Sequence, residues 1–160
     1  MKKIIIFGNS GSGKSTKAKK LCQTFNLSHL DLDTLAWLPT DPPQRKPIED
    51  SIKEIISFIN ENDGWVIEGC YSDLLEIVIS SSSELIFMNL PVELCLSNAK
   101  SRPWEPHKYS SKEAQDANLD MLLSWISQYP TRNDTFSKEA HEKLFKDYSG
   151  DKKMICENND

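Results

Sequence analysis

The sequence predicts an α/β protein of three layers, α/β/α, around a mainly parallel five-stranded sheet, with a helical, lid-like insertion. Three observations predict it. Short β-branched apolar runs alternate with helix-periodic stretches along the whole chain. A glycine-rich loop joins the first apolar run to the first helix-periodic stretch. The length of 160 residues suits one domain, 1–160, and leaves no room for a second of ordinary size.

Each element has its own justification. Lys2–Phe7 is a β-branched run that stops at Gly8, as a buried parallel strand would. Ala18, Leu21, Cys22 and Phe25 then fall on one face of a helix starting at Lys14, and Lys17, Lys19 and Lys20 fall on the other. A second strand is expected over Leu27–Leu32, with Asp31 and Asp33 alternating onto one side of it. Pro39, Pro42, Pro43 and Pro47 mark a loop. Ile48, Ile52, Ile55, Ile56 and Ile59 give the next helix, ended by Asn62-Asp63-Gly64. Trp65–Ile67 and Leu85–Asn89 are the third and fourth strands, separated by a helix with Leu74, Leu75 and Val78 that Ser72 would cap. Pro91 opens another helix from a position proline tolerates. Residues 103–118 are polar; Leu119, Leu122, Leu123 and Ile126 mark a helix stopped by Pro130. The stretch 103–136 reads as an inserted flap. Ser137 starts a shorter helix to about Phe145, and Lys152–Cys156 is the last strand.

Charge and composition narrow the function classes. Nineteen Lys and Arg against 24 Asp and Glu give a net −5, which argues against a dedicated nucleic-acid binder. No apolar run approaches the ~20 residues that span a bilayer. The initial run stops at Phe7, too early for a signal peptide, so the expected location is the cytoplasm. Cys22, Cys70, Cys95 and Cys156 form no C-x-x-C pair and are expected to be reduced, mostly buried thiols.

The chemistry lies in Gly8-Asn9-Ser10-Gly11-Ser12-Gly13-Lys14-Ser15, which satisfies G-x-x-x-x-G-K-[ST] and is followed by Thr16. Glycines let successive N–H groups point inward, where they surround phosphate oxygens at the positive end of a helix. Lys14 adds a charge for the β- and γ-phosphates, and Ser15 a hydroxyl for Mg²⁺. A dinucleotide fingerprint fares poorly, because starting at Gly11 its third glycine would fall on Thr16. A GTPase is disfavoured: Asp147-Tyr148-Ser149-Gly150 has the D-x-x-G spacing, but no N-K-x-D follows. A small kinase needs only what is present, a phosphate-binding loop (P-loop), one or two carboxylates, and arginines on a flap.

Several further segments, in order, carry a resemblance. They are His29-Leu30-Asp31-Leu32-Asp33-Thr34-Leu35-Ala36-Trp37, Trp65-Val66-Ile67-Glu68-Gly69 with Tyr71, Asn89-Leu90-Pro91, and Tyr129-Pro130 with Arg132. With the P-loop they resemble the adenylate kinase and shikimate kinase superfamily, and within it the bacterial "topology modulation protein" (FlaR-like), adenylate-kinase-related group. The resemblance spans about residues 2–156. It implies an ATP- and Mg²⁺-dependent phosphotransferase acting on an unidentified small nucleotide, nucleoside or metabolite, as a monomer or homodimer. It also implies an acceptor-side segment at about 33–62 and a lid at about 103–136.

By that resemblance Asp33 orients or deprotonates the acceptor hydroxyl, and Asp31 and Glu68 join Ser15 around the metal. Arg102 stands where a lid arginine belongs, and Arg132 would meet the phosphates from the flap's far side. Arg45 is the third and last arginine, in the acceptor-side loop. Cys70, Tyr71 and Ser72 replace the Phe-Pro-Arg run that grips AMP in adenylate kinases, which speaks against AMP as acceptor. Trp37 and Trp104 lie in loops near the expected ligands, and His29, His107 and His141 form no constellation by spacing. The rival readings are a nucleotide-binding regulator or NTPase without a phosphorylated acceptor, and a nucleic-acid-linked accessory protein.

Overall fold

A computed structural model describes residues 1–158. The first apolar run forms β1 (Lys3–Gly8), and the stretch after the glycine-rich loop forms α1 (Lys14–Phe25). Asn26 closes α1 in a left-handed conformation, φ 55°, a geometry asparagine tolerates. Next come β2 (Ser28–Asp31), a short hairpin of β3 (Trp37–Leu38) and β4 (Gln44–Arg45), and α2 (Ile48–Glu61). Then follow β5 (Trp65–Gly69), α3 (Ser72–Val78), β6 (Glu84–Met88) and α4 (Val92–Lys100). The flap holds α5 (Lys112–Ala117) and α6 (Leu119–Ser127); α7 (Lys138–Asp147) and β7 (Asp151–Ile155) follow it.

Five strands make one sheet in the order β2-β5-β1-β6-β7, and every neighbouring pair in it is parallel. Strand alternation divides the core in two. Ile5 and Phe7 of β1 join Leu32, Ile55, Trp65, Leu74, Leu75, Phe87 and Leu144 on the face covered by α2, α3 and α7. Ile4 and Ile6 join Ala18, Val66, Ile86, Cys95, Ala99 and Ile126 on the face covered by α1, α4 and α6. The protein is therefore a three-layer α/β fold around a parallel five-stranded sheet. Both faces are covered, which is why the strands read as continuous apolar runs. Parallel strands end on the same edge, so the C-terminal ends of β1, β2 and β5 bring Gly8, Asp31 and Gly69 together. Among the described residues no helix is long and apolar enough to cross a membrane.

Four local expectations need correcting. The second strand stops at Asp31, whose Oδ1 accepts the Asp33 N–H at 3.0 Å and caps a 3-10 turn over Leu32–Thr34. Asp33 thus belongs to a turn, and strand alternation does not align it with Asp31. Ser72 is the first residue of α3 rather than its cap; its hydroxyl donates to the Thr135 carbonyl at 2.5 Å, tying the end of the flap to α3. The proline-rich loop contains the β3–β4 hairpin, too short to show periodicity. Of the cysteines only Cys95 is buried; Cys22 and Cys70 are half-buried and Cys156 is exposed.

Candidate active site

The loop between β1 and α1 is shaped by two left-handed glycines. Gly11 has φ 79° and Gly13 φ 89°. A Cβ on Gly11 would collide with the Cys95 carbonyl of α4, so loop and helix touch backbone to backbone. Side-chain amides tie the loop to its neighbours. Buried Asn9 donates to the Ile126 carbonyl at 3.2 Å, Asn98 to the Gly11 carbonyl at 2.9 Å, and Asn158 to the Ser12 carbonyl at 3.3 Å. Among the described residues the Ser12 hydroxyl is buried with no hydrogen-bond partner. Lys14 Nζ donates to the Asn9 carbonyl at 2.8 Å, within its own loop.

A cleft of about 680 Å³ opens above this loop. It is lined by Gly13, Lys14, Ser15 and Thr16, by Asp33 from the turn after β2 and Glu68 from β5, and by Arg102 after α4 with Glu105 and Lys108 from the flap. Ser15 donates its hydroxyl to Glu68 Oε2 at 2.6 Å, and His29 Nε2 lies 3.2 Å from the same oxygen. Glu68 is buried in β5, beside Asp31 of β2 in the sheet register. A hydroxyl and a carboxylate side by side are hard oxygen donors of the kind Mg²⁺ takes together with phosphate oxygens and water. Among the described residues no group of three or more His, Cys, Asp and Glu is arranged to hold a metal by itself.

The Asp33 carboxylate is held at both oxygens. The Tyr71 hydroxyl donates to Oδ1 at 2.5 Å and itself receives the Trp37 indole N–H at 2.9 Å. Lys108 Nζ contacts Oδ2 at 2.8 Å, with Asp31 Oδ2 at 3.5 Å and Glu105 Oε2 at 3.6 Å. Electrostatics follow from this arrangement. Burial pushes Asp31 up, and the charges of Glu68 and Asp33 add to that against Lys108. Burial also works upward on Asp33, but the Lys108 ammonium and the Tyr71 hydroxyl hold it below the usual carboxylate range. Burial works against the Lys108 ammonium, yet Asp33 and Asp31 raise it above an ordinary lysine. Tyr71 is raised by burial and then by Asp33, so it stays a donor. Burial pushes the Cys70 thiol up to about 12, so it is protonated and not a nucleophile.

The expected site residues fall into three groups. Ser10, Gly11, Gly13, Lys14, Ser15, Thr16, Asp33, Glu68 and Arg102 line the cleft. Gly8 at the end of β1 and Asn9 and Ser12 in the loop are buried, and Asp31 reaches the cleft through Lys108. Arg132 is not brought there: its guanidinium lies 3.5 Å over the Trp125 ring and pairs with Asp134 at 3.1 Å. The expectation that it meets phosphates is corrected on that geometry. Arg45 also turns away from the cleft, with one nitrogen between the two oxygens of Asp73 at 3.3 and 3.2 Å. His29 and His107 do approach site carboxylates, His107 at 3.8 Å from Asp31. Lys108, Tyr71, Asn98 and Glu105 were missed. Tyr71 stood in a recognised segment. Lys108 offered no signal, because its partners are in a distant strand and turn.

No protein-family model matches the chain, and no curated protein matches it. Solved structures do resemble it. A sugar kinase from a Janibacter species superposes with TM-score 0.54 at 13% identity, covering 91% of this chain and 93% of that one. A deoxyadenosine kinase from M. mycoides with bound dATP gives TM-score 0.52 at 12% identity, covering 98% and 91%. A shikimate kinase from Bacteroides thetaiotaomicron gives TM-score 0.45 at 14% identity, covering 91% and 97%. At these identities the likeness is one of fold alone: the chain shares its three-layer α/β architecture with this sugar kinase and this deoxyadenosine kinase.

Proposed function

We propose that this chain is a P-loop phosphotransferase that moves the γ-phosphate of ATP to a small acceptor. One observation carries the reading: Lys14 of the P-loop and the Asp33 carboxylate line the same cleft, so a phosphate donor and an acceptor hydroxyl would meet between them. The kinase fold of the solved neighbours supports it. The loop amides and Lys14 hold the phosphates, and Arg102, which lines the cleft beside the flap with its guanidinium on Glu105 at 3.1 Å, would turn to them. The Ser15 hydroxyl and Glu68 would hold Mg²⁺, with Asp31 as neighbour, and the ion supplies charge neutralisation at the phosphates. Asp33 takes the proton of the acceptor hydroxyl as its oxygen bonds to the γ-phosphorus; the bond from that phosphorus to the bridging oxygen breaks and ADP leaves.

We further propose that residues 1–160 act as one catalytic domain in the cytoplasm, as a monomer or homodimer, without direct nucleic-acid binding. Kinship with the topology-modulation group belongs to the same proposal. Substituting Lys14→Ala tests it: ATP affinity or turnover falls at least about tenfold, the factor given by ~1.4 kcal/mol. Unchanged values for both would overturn it. Lys108 seated on Asp33 favours a second reading, a nucleotide-binding protein that transfers no phosphate to an acceptor. Label from the γ-position that appears only as free phosphate would select that reading.

A further inference from the structure

The acceptor side of the cleft has a definite polarity. Asp33 Oδ1 is filled by Tyr71, so Oδ2 is the oxygen left for a ligand, and Lys108 Nζ now sits on it at 2.8 Å. That ammonium is shared with Asp31 and Glu105, at 3.5 and 3.6 Å. Glu68 lies beside Asp31 in the next strand. Arginine is the residue that usually grips a carboxylate or phosphate on a substrate. The acceptor-side segment has only Arg45, and its charge is committed: it pairs with Asp73 and packs on the rings of Trp37, Tyr71 and Phe136. Lys46, its neighbour, pairs with Glu54 at 2.7 Å.

We infer that the acceptor is an uncharged or amine-bearing hydroxyl compound, recognised through donors to Asp33 and Asp31, and not a phosphate monoester or carboxylate. This rests on the phosphotransferase reading and narrows its substrate. An acceptor ammonium can take the place of Lys108 and keep its charge at the site, and a neutral hydroxyl can donate to Asp33 Oδ2 while Lys108 stays beside Asp31 and Glu105. An anion would do the opposite. It would draw Lys108 away and leave Asp31, whose side chain is 9% exposed, and Asp33 as unneutralised charges beside a third. Like charges so placed select against a ligand more strongly than a missing contact does.

The experiment uses the full chain, ATP labelled at the γ-phosphate, and a small-molecule cell extract split on an anion exchanger. The unretained fraction holds neutral and cationic compounds, and the retained fraction holds anions. Label in products other than free phosphate is expected from the unretained fraction, at about tenfold or more over the retained one, the ratio that ~1.4 kcal/mol of discrimination gives. Label entering mainly acceptors of the retained fraction overturns the inference and leaves the phosphotransferase reading standing. Label in free phosphate alone, from both fractions, overturns both. In Asp31→Asn protein that melts as a folded chain, the retained-to-unretained ratio rises. An unchanged ratio removes Asp31 as a determinant of acceptor charge and overturns that part of the inference.

Discussion

His141 has no exposed surface, and its two ring nitrogens have opposite tasks. Nε2 lies 2.9 Å from the Cys70 carbonyl, which accepts only, so Nε2 carries the proton. Nδ1 therefore accepts from the Tyr129 hydroxyl at 2.7 Å. A neutral ring satisfies both partners, and burial holds its pKa down to about 4, against an ordinary 6.5. Between those values the unfolded chain binds a proton that the folded one refuses, so stability is complete above the unfolded value and drains as pH falls towards 4. The loss amounts to about 3 kcal/mol across the window. In His141→Phe, urea melts at neutral pH fall by about 2 kcal/mol, because Tyr129 and Cys70 lose their partner. The slope below pH ~6.5 flattens in the same protein; a slope as steep as in the parent would refute the assignment. Asp33 gives a second test at this scale. Asp33→Asn keeps the shape but cannot take a proton, so turnover falls by about 10² to 10⁴ while ATP affinity stays within about threefold. An equal loss of ATP affinity would place Asp33 in nucleotide binding instead.

At the scale of elements, the flap separates what was legible in the sequence from what was not. The β1–loop–α1 unit was readable in full, because its strand, glycines, lysine and helix are contiguous and each follows from local rules. Glu68 at the end of β5 was equally plain, since the end of an apolar strand locates its last side chain. Side-chain direction in the flap obeys no such rule. The order of residues places Arg132 near the flap's edge, but the Trp125 ring and Asp134 decide where its guanidinium goes. Lys108 acquires its role only when the flap folds against the turn at Asp33. The hairpin β3–β4 exists through pairing of Trp37 with Arg45 and of Leu38 with Gln44, a contact that periodicity over two residues cannot announce. A substitution tests the corrected view of the flap. Arg132→Ala removes the stacking contact and lowers stability by about 1 kcal/mol, with nucleotide affinity held within about threefold. A tenfold loss of nucleotide affinity, ~1.4 kcal/mol, would return Arg132 to the phosphate site.

At the scale of the whole molecule, the parallel sheet turns local features into one site. Gly8, Asp31 and Glu68 come from three strands that lie side by side, with β5 between β2 and β1, so their ends meet on one edge. Net charge, −5, does not describe that edge, because Lys14, Lys108 and Arg102 line the cleft within an acidic chain. The P-loop is held by α4 through Asn98, by α6 through the Ile126 carbonyl, and by Asn158 after the last strand. A ligand that binds the loop therefore stabilises contacts on several elements, and its effect registers in the unfolding of the whole chain. ATP with Mg²⁺ at a hundred times its Kd adds about 2.7 kcal/mol. For a chain of this size that raises the melting temperature by about 5–10 °C. Lys14→Ala, with affinity about tenfold weaker, retains roughly half of that free energy at the same ligand concentration, by the same linkage relation. A chelator added to the parent protein reduces the shift, since in the proposed site the ion and the triphosphate would bind together. Equal shifts in parent and Lys14→Ala proteins would mean that the nucleotide binds elsewhere, and the cleft would lose its claim to be the phosphate site.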